Sequence, residues 1–360
     1  MRVRASAFKQ LRSMALQIGY CPYRLLFKRP FGTAHGLRDG TDALFLMLEE
    51  NGICGYGEVT LPPYVKETIP EAIVRIEGIA KRGAWSAGTL IAALDELPEL
   101  TNGGPGCRAA IQMALVDLIG KQRGMAASAV IGLTGTREPV TLMTIGICNV
   151  NELEARLSEV PASGALKMKV GDPDAAIRIK RIMALDNRRL FLDGNQGFSR
   201  QEQVEDLLAV VGKDRLLGLE QPFPTALDTA NRVLGALVYG DESIQNAHDL
   251  ETSAVHFGGV NLKLMKCGGL DRAVAMASRA RELGLSVMLG SMSESSLGCT
   301  AMAQLGRSAD ILDLDGPWLI SNDPFIGLQM TEGRMFIPDR PGLGAELLAK
   351  LDFRIIGIGA

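Results

Sequence analysis

The sequence is poor in the residues that build thiolate or imidazole clusters. Its 360 residues include six scattered cysteines, without a C-x-x-C pair, and three dispersed histidines. This scarcity excludes a disulfide framework and a Cys/His zinc site. It favours reduced core thiols, as in a cytoplasmic protein.

Long apolar runs and a strong net charge are also missing. No stretch reaches the roughly 18 apolar residues that a membrane helix needs. The formal net charge is −3, so bulk electrostatics do not draw the chain to nucleic acid or to an anionic membrane. The hydrophobic content of 47% nevertheless allows a sizeable buried core.

The residue pattern divides the chain into three parts. Residues 1–130 combine strands with helices, which is typical of an α+β domain, and residues 1–14, with four basic side chains and no acid, are a possible extension. The run D-A-L-F-L-M-L-E-E-N-G followed by I-C-G-Y-G-E-V predicts a hairpin that turns near Asn51. We expect residues 131–325 to form a second domain and residues 326–360 to pack back on the first.

Short β-rich runs recur every 20 to 31 residues from Val140 onward, with a helical pattern between most of them. Eight such runs predict an α/β fold, a (β/α)7β TIM-like barrel preceded by the N-terminal α+β domain. The runs are V-T-L-M-T-I-G-I, G-A-L-K-M-K-V, R-L-F-L-D-G-N, L-L-G-L-E-Q-P, A-L-V-Y-G-D-E-S, G-V-N-L-K-L-M-K, L-S-V-M-L-G-S-M-S-E and A-D-I-L-D-L-D.

Ionisable side chains stand at the C-terminal ends of these runs, where barrel enzymes build their active sites. Asp193, Glu220 and Asp241 come from consecutive runs, so their negative charges would converge and repel one another. A Mg²⁺ ion relieves such repulsion, because it takes oxygen ligands in octahedral geometry. Ordinary salt bridges to nearby lysines are the alternative, which the regular spacing disfavours. The whole set is Lys167, Lys169, Asp193, Glu220, Asp241, Lys263, Glu294, Asp313 and Asp315.

Lysines flank the proposed metal site. Lys167 and Lys169 share one face of their strand because side chains alternate along a strand. Lys169 on the second run and Lys263 on the sixth would lie across the barrel from each other. A partly desolvated lysine near other cations has a lowered pKa and can act as a general base. Two such bases could remove a proton from one face of a carbon and return it to the other.

Taken together, these motifs resemble the enolase superfamily, in its muconate-lactonising subgroup, and most closely its dipeptide epimerases. The resemblance runs from about Leu16 to beyond Asp315 and includes G-Y-G-E at 55–58 in what would be a capping domain. The other matching motifs are K-M-K at 167–169, L-D-G-N-Q-G at 192–197, L-E-Q-P at 219–222, G-D-E-S at 240–243, N-L-K-L-M-K-C-G-G at 261–269, G-S-M-S-E-S-S-L-G at 290–298 and D-L-D-G at 313–316.

The resemblance implies a Mg²⁺-dependent epimerase, with one ion per subunit held by the three strand-end acids. Lys169 and Lys263 match the acid/base pair, and Asp313 and Asp315 match the carboxylates that hold the α-ammonium of a dipeptide. The implied reaction is a 1,1-proton transfer at the α-carbon of the C-terminal residue, through an enediolate. Other substrate contacts are expected at Thr144, Lys167, Ser291, Met292 and Glu294, with Asn195 and Lys266 in support.

We expect the C-terminal side chain of the substrate to be uncharged. The Ala-Glu epimerases that the chain resembles hold the glutamate carboxylate with an arginine in the capping loop and a lysine after the seventh strand. Alignment puts Gly36 and Ser296 at these two positions, and a buried carboxylate without a partner is strongly disfavoured. Arg38 could compensate if the loop bends differently. The loop, which includes His35, is expected to close over the substrate.

Three alternatives stay open at this point. A cycloisomerase or an o-succinylbenzoate synthase-like enzyme would use the same metal site and lysines. An aldolase would form a Schiff base on Lys263 without a metal. A non-catalytic ligand-binding barrel would not need two opposed lysines. For the epimerase we expect a small-molecule dipeptide substrate, a homo-oligomer and a cytoplasmic location, with neither nucleic acid nor membrane as a partner.

Overall fold

A computed structural model describes residues 15–62, 65–133, 135 and 137–357. The possible extension at residues 1–14 lies outside this part of the chain. The described residues form an antiparallel sheet with packed helices and a closed barrel of parallel strands. The predicted fold, a (β/α)7β barrel with an N-terminal α+β domain, is therefore confirmed. All six cysteines are free thiols; four are buried, as core thiols would be, and Cys54 and Cys148 are only partly buried.

Three antiparallel strands begin the N-terminal domain, and the second and third of them form the predicted hairpin. Strands β2 and β3 are joined by Asn51 and Gly52, whose positive φ angles of 55° and 79° suit a two-residue hairpin turn. The strands are β1 (Gln17–Thr33), β2 (Gly36–Glu50) and β3 (Ile53–Thr60).

The helices of this domain pack on the sheet, and the longest of them is buried along most of its length. Helix α4 lies between β3 and the barrel, so residues 106–120 are buried on every side. Gly55 and Gly57 of β3 permit this close approach, because a Cβ at either position would lie within 2.2 Å of a carbonyl oxygen of α4. The helices are α1 (Ile69–Lys81), α2 (Ala87–Ala93), α3 (Pro98–Thr101), α4 (Pro105–Arg123) and α5 (Ala127–Val130).

Eight parallel strands close the barrel, the eighth pairing with the first. Its interior below the strand ends is filled by apolar side chains that include Leu142, Phe191, Tyr239 and Met288. The strands are β4 (Val140–Ile145), β5 (Ala165–Lys169), β6 (Arg189–Asp193), β7 (Leu216–Glu220), β8 (Val238–Gly240), β9 (Gly259–Leu262), β10 (Ser286–Gly290) and β11 (Ile311–Asp313).

Helices connect most of the barrel strands, but a 3₁₀ segment at Thr225–Val233 joins β7 to β8. In the described part of the chain, every helix is too short or too polar to cross a membrane. The helices are α6 (Leu153–Glu159), α7 (Ala175–Leu185), α8 (Gln201–Val211), α9 (Ala247–Ser253), α10 (Leu264–Cys267), α11 (Leu270–Glu282), α12 (Ser296–Ala303) and α13 (Gly316–Leu319).

The C-terminal segment contacts both domains. Strand β16 pairs antiparallel with β1, with Ile356 opposite Ile18, so the N-terminal sheet has the order β16-β1-β2-β3. Earlier in the segment, the Gly333 carbonyl accepts a hydrogen bond from Thr141 Oγ1 of the barrel at 2.5 Å. The strands here are β12 (Phe325–Ile326), β13 (Gln329–Thr331), β14 (Arg334–Phe336), β15 (Glu346–Leu347) and β16 (Arg354–Ile356).

Candidate active site

Three carboxyl groups meet at the C-terminal end of the barrel. Asp193 ends β6, Glu220 ends β7, and Asp241 directly follows β8. These strands are parallel neighbours, so their last side chains project from the same end of the barrel. The register sets Asp193 beside Glu220, and none of the three residues is more than 4% exposed. The structure thus brings the three predicted metal ligands together.

Lys167 of β5 lies among these carboxylates. Its Nζ is 2.8 Å from Asp193 Oδ2, 2.6 Å from Glu220 Oε2 and 2.6 Å from Asp313 Oδ2. Burial alone would lower the pKa of Lys167, but the three acids outweigh burial and raise that pKa well above its usual value. Lys167 is therefore a fixed cation at neutral pH, which suits charge neutralisation rather than proton abstraction.

The two predicted bases stand on opposite sides of the barrel. Lys169 of β5 has its Nζ 2.5 Å from Asp193 Oδ2, and Lys263, just after β9, has its Nζ 2.6 Å from Asp241 Oδ2. Strands β5 and β9 are four places apart in the ring of eight, which makes them diametrically opposed. Both lysines line one small cavity of about 50 Å³. Lys266 donates to Asp241 Oδ1 at 2.6 Å and to the Asp241 carbonyl at 2.8 Å.

The carboxyl groups differ in how well the lysines compensate their charge. Burial, reinforced by the negative charge of Asp193, raises the pKa of Glu220 to about 8. Burial acts in the same direction on Asp193 and Asp241, but the adjacent ammonium groups outweigh it and hold both pKa values well below the usual range. Glu220 is therefore the acid of the three whose negative charge the lysines compensate least.

Further polar atoms beside these acids are consistent with a bound cation. Among the described residues, no group of three Asp, Glu, His or Cys side chains is arranged closely enough to hold a metal ion. Lysine ammonium groups contact the three acids instead. However, Asn195 Oδ1 and Glu242 Oε2 are buried without a hydrogen-bond partner. Burial, with Asp241 next in effect, raises the pKa of Glu242 to about 7. An excess of buried oxygen donors suits a hard divalent ion.

Asp313 and Asp315 present negative charge to the same cavity from the end of β11. Asp315 Oδ2 accepts a hydrogen bond from Thr144 N at 2.6 Å, and all three residues line the cavity. Burial and the neighbouring Asp313 raise the pKa of Asp315 to about 6. Near neutral pH the pair can therefore receive a cationic group of a ligand.

The loop after β10 contributes two of its three predicted contacts to the cavity. Ser291 and Met292 line it, whereas Glu294 is absent from its described lining. The Glu294 carboxylate accepts a hydrogen bond from Met292 N. Burial and the nearby Glu58 raise the pKa of Glu294 to about 8. Glu294 thus holds the loop in shape, and its direct contact with substrate stays a prediction.

Glu58, from the G-Y-G-E motif of β3, was not predicted as a site residue. It is 0% exposed and accepts hydrogen bonds from Ser295 N at 2.9 Å, Ser295 Oγ at 2.6 Å, Gly298 N at 2.9 Å and Thr60 Oγ1 at 2.6 Å. It therefore caps α12 and ties the loop after β10 to the N-terminal sheet. Its motif was visible in the sequence, but its partner lies 237 positions away.

Gln221, in the L-E-Q-P motif, is a second positioning residue that sequence analysis missed. Its Oε1 accepts hydrogen bonds from Asp241 N at 3.0 Å and Ser243 N at 3.2 Å. Its Nε2 donates to Ser243 Oγ at 2.8 Å. Gln221 therefore fixes the backbone that carries Asp241. Its side-chain partners come from the next strand end, which the motif alone does not reveal.

The tip of the β1–β2 hairpin reaches the cavity, and its closing over a substrate stays a prediction. His35 and Arg38 both line the cavity, and the Arg38 guanidinium lies over the Phe27 ring at 5.7 Å from the ring centre. Gly36 brings no cation, and Ser296 lies in α12 with its N–H bonded to an aspartate. The start of β2 thus supplies a cationic side chain, Arg38, whereas the two aligned positions supply none.

Known proteins share this architecture and sequence pattern. A family model described as enolase C-terminal domain-like matches residues 152–351. The L-Ala-D/L-amino acid epimerase of Maribacter sp. is 33% identical over 343 residues, which cover 92% of this chain and 99% of that protein. The L-Ala-D/L-Glu epimerase of Bacteroides thetaiotaomicron is 31% identical over 334 residues, which cover 91% and 87%.

A solved structure extends the comparison. The dipeptide epimerase from Methylococcus capsulatus, complexed with Mg and the dipeptide L-Arg-D-Lys, is 26% identical and aligns with a TM-score of 0.80. The alignment covers 93% of this chain and 99% of that one. The chain therefore belongs to the enolase superfamily, and it is an isomerase.

Proposed function

We propose that this isomerase is a dipeptide epimerase that inverts the α-carbon of the C-terminal residue by 1,1-proton transfer through an enediolate. The observation that carries the proposal is the placement of Lys169 and Lys263 on opposed strands around one cavity. Bases on opposite faces of a carbon can exchange its proton between those faces. The epimerase names of the relatives support the same reaction class.

The buried acids would hold the metal of the reaction. Asp193, Glu220 and Asp241 fit Mg²⁺, the ion present with the Methylococcus enzyme. When bound, Mg²⁺ supplies Lewis-acid stabilisation of negative charge on the substrate carboxylate. Lys167 adds a permanent positive charge beside the same acids, and Lys266 keeps Asp241 in place.

The chain's own side chains orient the dipeptide and move the proton. Asp313 and Asp315 receive the α-ammonium, since the two carboxylates face the cavity and would otherwise repel each other. This orientation directs the C-terminal residue towards Lys169 and Lys263. One lysine takes the α-proton, Lys167 faces the enediolate charge, and the other lysine returns a proton to the opposite face. An N-acetylated dipeptide lacks the cation and should be a poor substrate.

An uncharged C-terminal side chain in the substrate stays a prediction. Gly36 and Ser296 supply no positive charge, which disfavours a buried substrate carboxylate. Arg38, however, lines the cavity, and it is the residue to mutate if glutamate is accepted. A comparison of kcat/KM for Ala-Glu and Ala-Leu decides whether the pocket prefers a charged or an uncharged C-terminal side chain.

The test of the proposed function uses Lys169→Ala and Lys263→Ala in D₂O. Each variant should lose epimerisation by about 10³-fold or more, which corresponds to roughly 4 kcal/mol of activation free energy. Each should retain α-proton exchange, followed by mass spectrometry, with only one substrate epimer. The two variants should choose opposite epimers, because each keeps the base on a different face.

Lys180→Ala is the matched control, since Lys180 is an exposed lysine on α7, outside the cavity. It should epimerise at the wild-type rate. Exchange of the same epimer by both active-site variants would rule out opposed bases. Borohydride trapping of an aldehyde or ketone substrate on the wild-type enzyme would instead indicate the Schiff base of an aldolase at Lys263.

A further inference from the structure

A second, larger cavity adjoins the catalytic one. It has a volume of about 560 Å³, within the range of roughly 300–1,000 Å³ that is usual for ligand pockets. Phe31, Thr144 and Leu319 line both cavities, so these three side chains form the boundary between them. No step of the proposed reaction uses this space.

We propose that the larger cavity, which we call the side cavity, binds the side chain of the substrate's N-terminal residue and selects a bulky uncharged one. The inference rests on the proposed function and names the substrate class. The α-ammonium binds at Asp315, whose carboxylate accepts a hydrogen bond from Thr144 N. Thr144 also lines the side cavity. The α-carbon next to the ammonium therefore lies at the shared boundary, and the side chain on that carbon can extend into the side cavity.

The walls of the side cavity suit an apolar or aromatic group. Phe27 and Ile145 are buried there, and Trp318 packs partly buried against the same apolar core. Contact with such walls removes apolar surface of the ligand from water, which is favourable in proportion to the area buried. An alanine methyl group, the N-terminal side chain in the names of both relatives, would leave most of the volume unfilled.

The charged residues of the side cavity disfavour a cationic side chain. Its lining includes Lys28, Arg29 and Arg156 but one acid, Glu159. Arg29 pairs with Glu159, and Arg156 pairs with Glu152, which does not line the cavity, so Lys28 supplies the excess positive charge. Positive charge therefore exceeds negative charge around this space. An N-terminal lysine or arginine would meet like charges, whereas a phenylalanine or leucine would not.

The experiment compares kcat/KM for Phe-Leu, Ala-Leu and Lys-Leu in the wild type and in a filled variant. The wild type should prefer Phe-Leu to Ala-Leu by about tenfold or more, with Lys-Leu the poorest. Cys148→Trp places a large ring in the side cavity from the loop after β4. It should reduce the ratio of Phe-Leu to Ala-Leu at least about tenfold. Val160→Phe, from another wall, should act in the same direction and decides the matter if Cys148→Trp does not fold.

Ile177→Trp is the control, because Ile177 is 56% exposed on the outer helix α7. This variant should keep the wild-type ratio. Equal kcat/KM for Phe-Leu and Ala-Leu in the wild type, or an unchanged ratio in both filled variants, would overturn the inference. In either case, epimerisation of Ala-Leu by the wild type would leave the proposed function standing. If the wild type turned over no dipeptide, both proposals would fail.

Discussion

Replacing Glu58 with alanine should remove the hydrogen bonds that connect the N-terminal sheet to the active-site loop and so destabilise the protein. The carboxylate is completely buried and accepts hydrogen bonds from two backbone N–H groups, Ser295 N and Gly298 N, at 2.9 Å each. In Glu58→Ala both donors lose their acceptor. The loop that carries Ser291 and Met292 should shift, so kcat/KM should fall as well.

The magnitude follows from these contacts. A buried donor left unsatisfied costs about 1–3 kcal/mol, so two fixed donors imply about 2–6 kcal/mol. Removal of Glu58 also relieves its repulsion of Glu294, which offsets part of the loss. We expect a net decrease of about 3 kcal/mol in the free energy of unfolding near neutral pH.

The pH dependence of this loss has a definite sign. Burial, as the largest cause, raises the pKa of Glu58 above its usual value, and it raises that of Glu294 to about 8. Carboxyl groups with a raised folded-state pKa bind protons more tightly when folded. The stability that this tighter proton binding contributes is complete below the unfolded-state pKa near 4.3 and is lost as the pH rises towards 8. The wild type has both raised carboxyl groups and so loses more of this stability than Glu58→Ala does. The difference in unfolding free energy between wild type and variant should therefore shrink between pH 5 and pH 8.

Urea unfolding at both pH values measures the effect. Glu96→Ala is the matched control, since Glu96 is an exposed glutamate of the same domain, and its stability should change by less than about 0.5 kcal/mol. A loss below about 1 kcal/mol in Glu58→Ala with unchanged kcat/KM would refute the reasoning. So would a loss that grows as the pH rises.

Two further predictions concern the metal and the ammonium site. Exhaustive chelation should abolish epimerisation and added Mg²⁺ should restore it, because Asp193, Glu220 and Asp241 offer buried oxygen ligands; full turnover after chelation would contradict this. The kcat/KM value should fall as the pH decreases through about 6, since burial and Asp313 raise the pKa of Asp315 to about 6 and protonation removes the charge that receives the α-ammonium. A pH profile that is flat from pH 5 to pH 8 would contradict that role.

The barrel and the strand-end residues could be predicted because each depends on local pattern. Apolar runs mark buried parallel strands, and the residue that ends each run points to one end of the barrel. Asp193, Glu220 and Asp241 therefore meet as expected. The full length of β1 could not be predicted, because Pro22 and Pro30 lie within it and proline is rare inside strands. Pro30 falls within the register shift between Leu26 and Phe31, where a proline costs no paired hydrogen bond.

Contacts between distant parts of the chain could not be predicted from pattern. Glu58 finds its partners at the N-terminal end of α12, and the position of Arg38 depends on how the β1–β2 hairpin folds over the barrel. Neither spacing nor residue type determines such packing. The side cavity likewise arises from β1, the loop after β4 and α13, which meet only in the folded molecule.

The pairing of β16 with β1 affects the order in which the molecule can fold during synthesis. Ile18 and Ile356 are opposite each other, although the whole barrel is translated between them. The N-terminal sheet cannot gain β16 until residues 354–356 have left the ribosome. Until then, β1, β2 and β3 form an incomplete sheet next to a barrel that is already complete. A nascent chain halted before residue 354 should therefore expose the free edge of β1, a template for unwanted strand pairing.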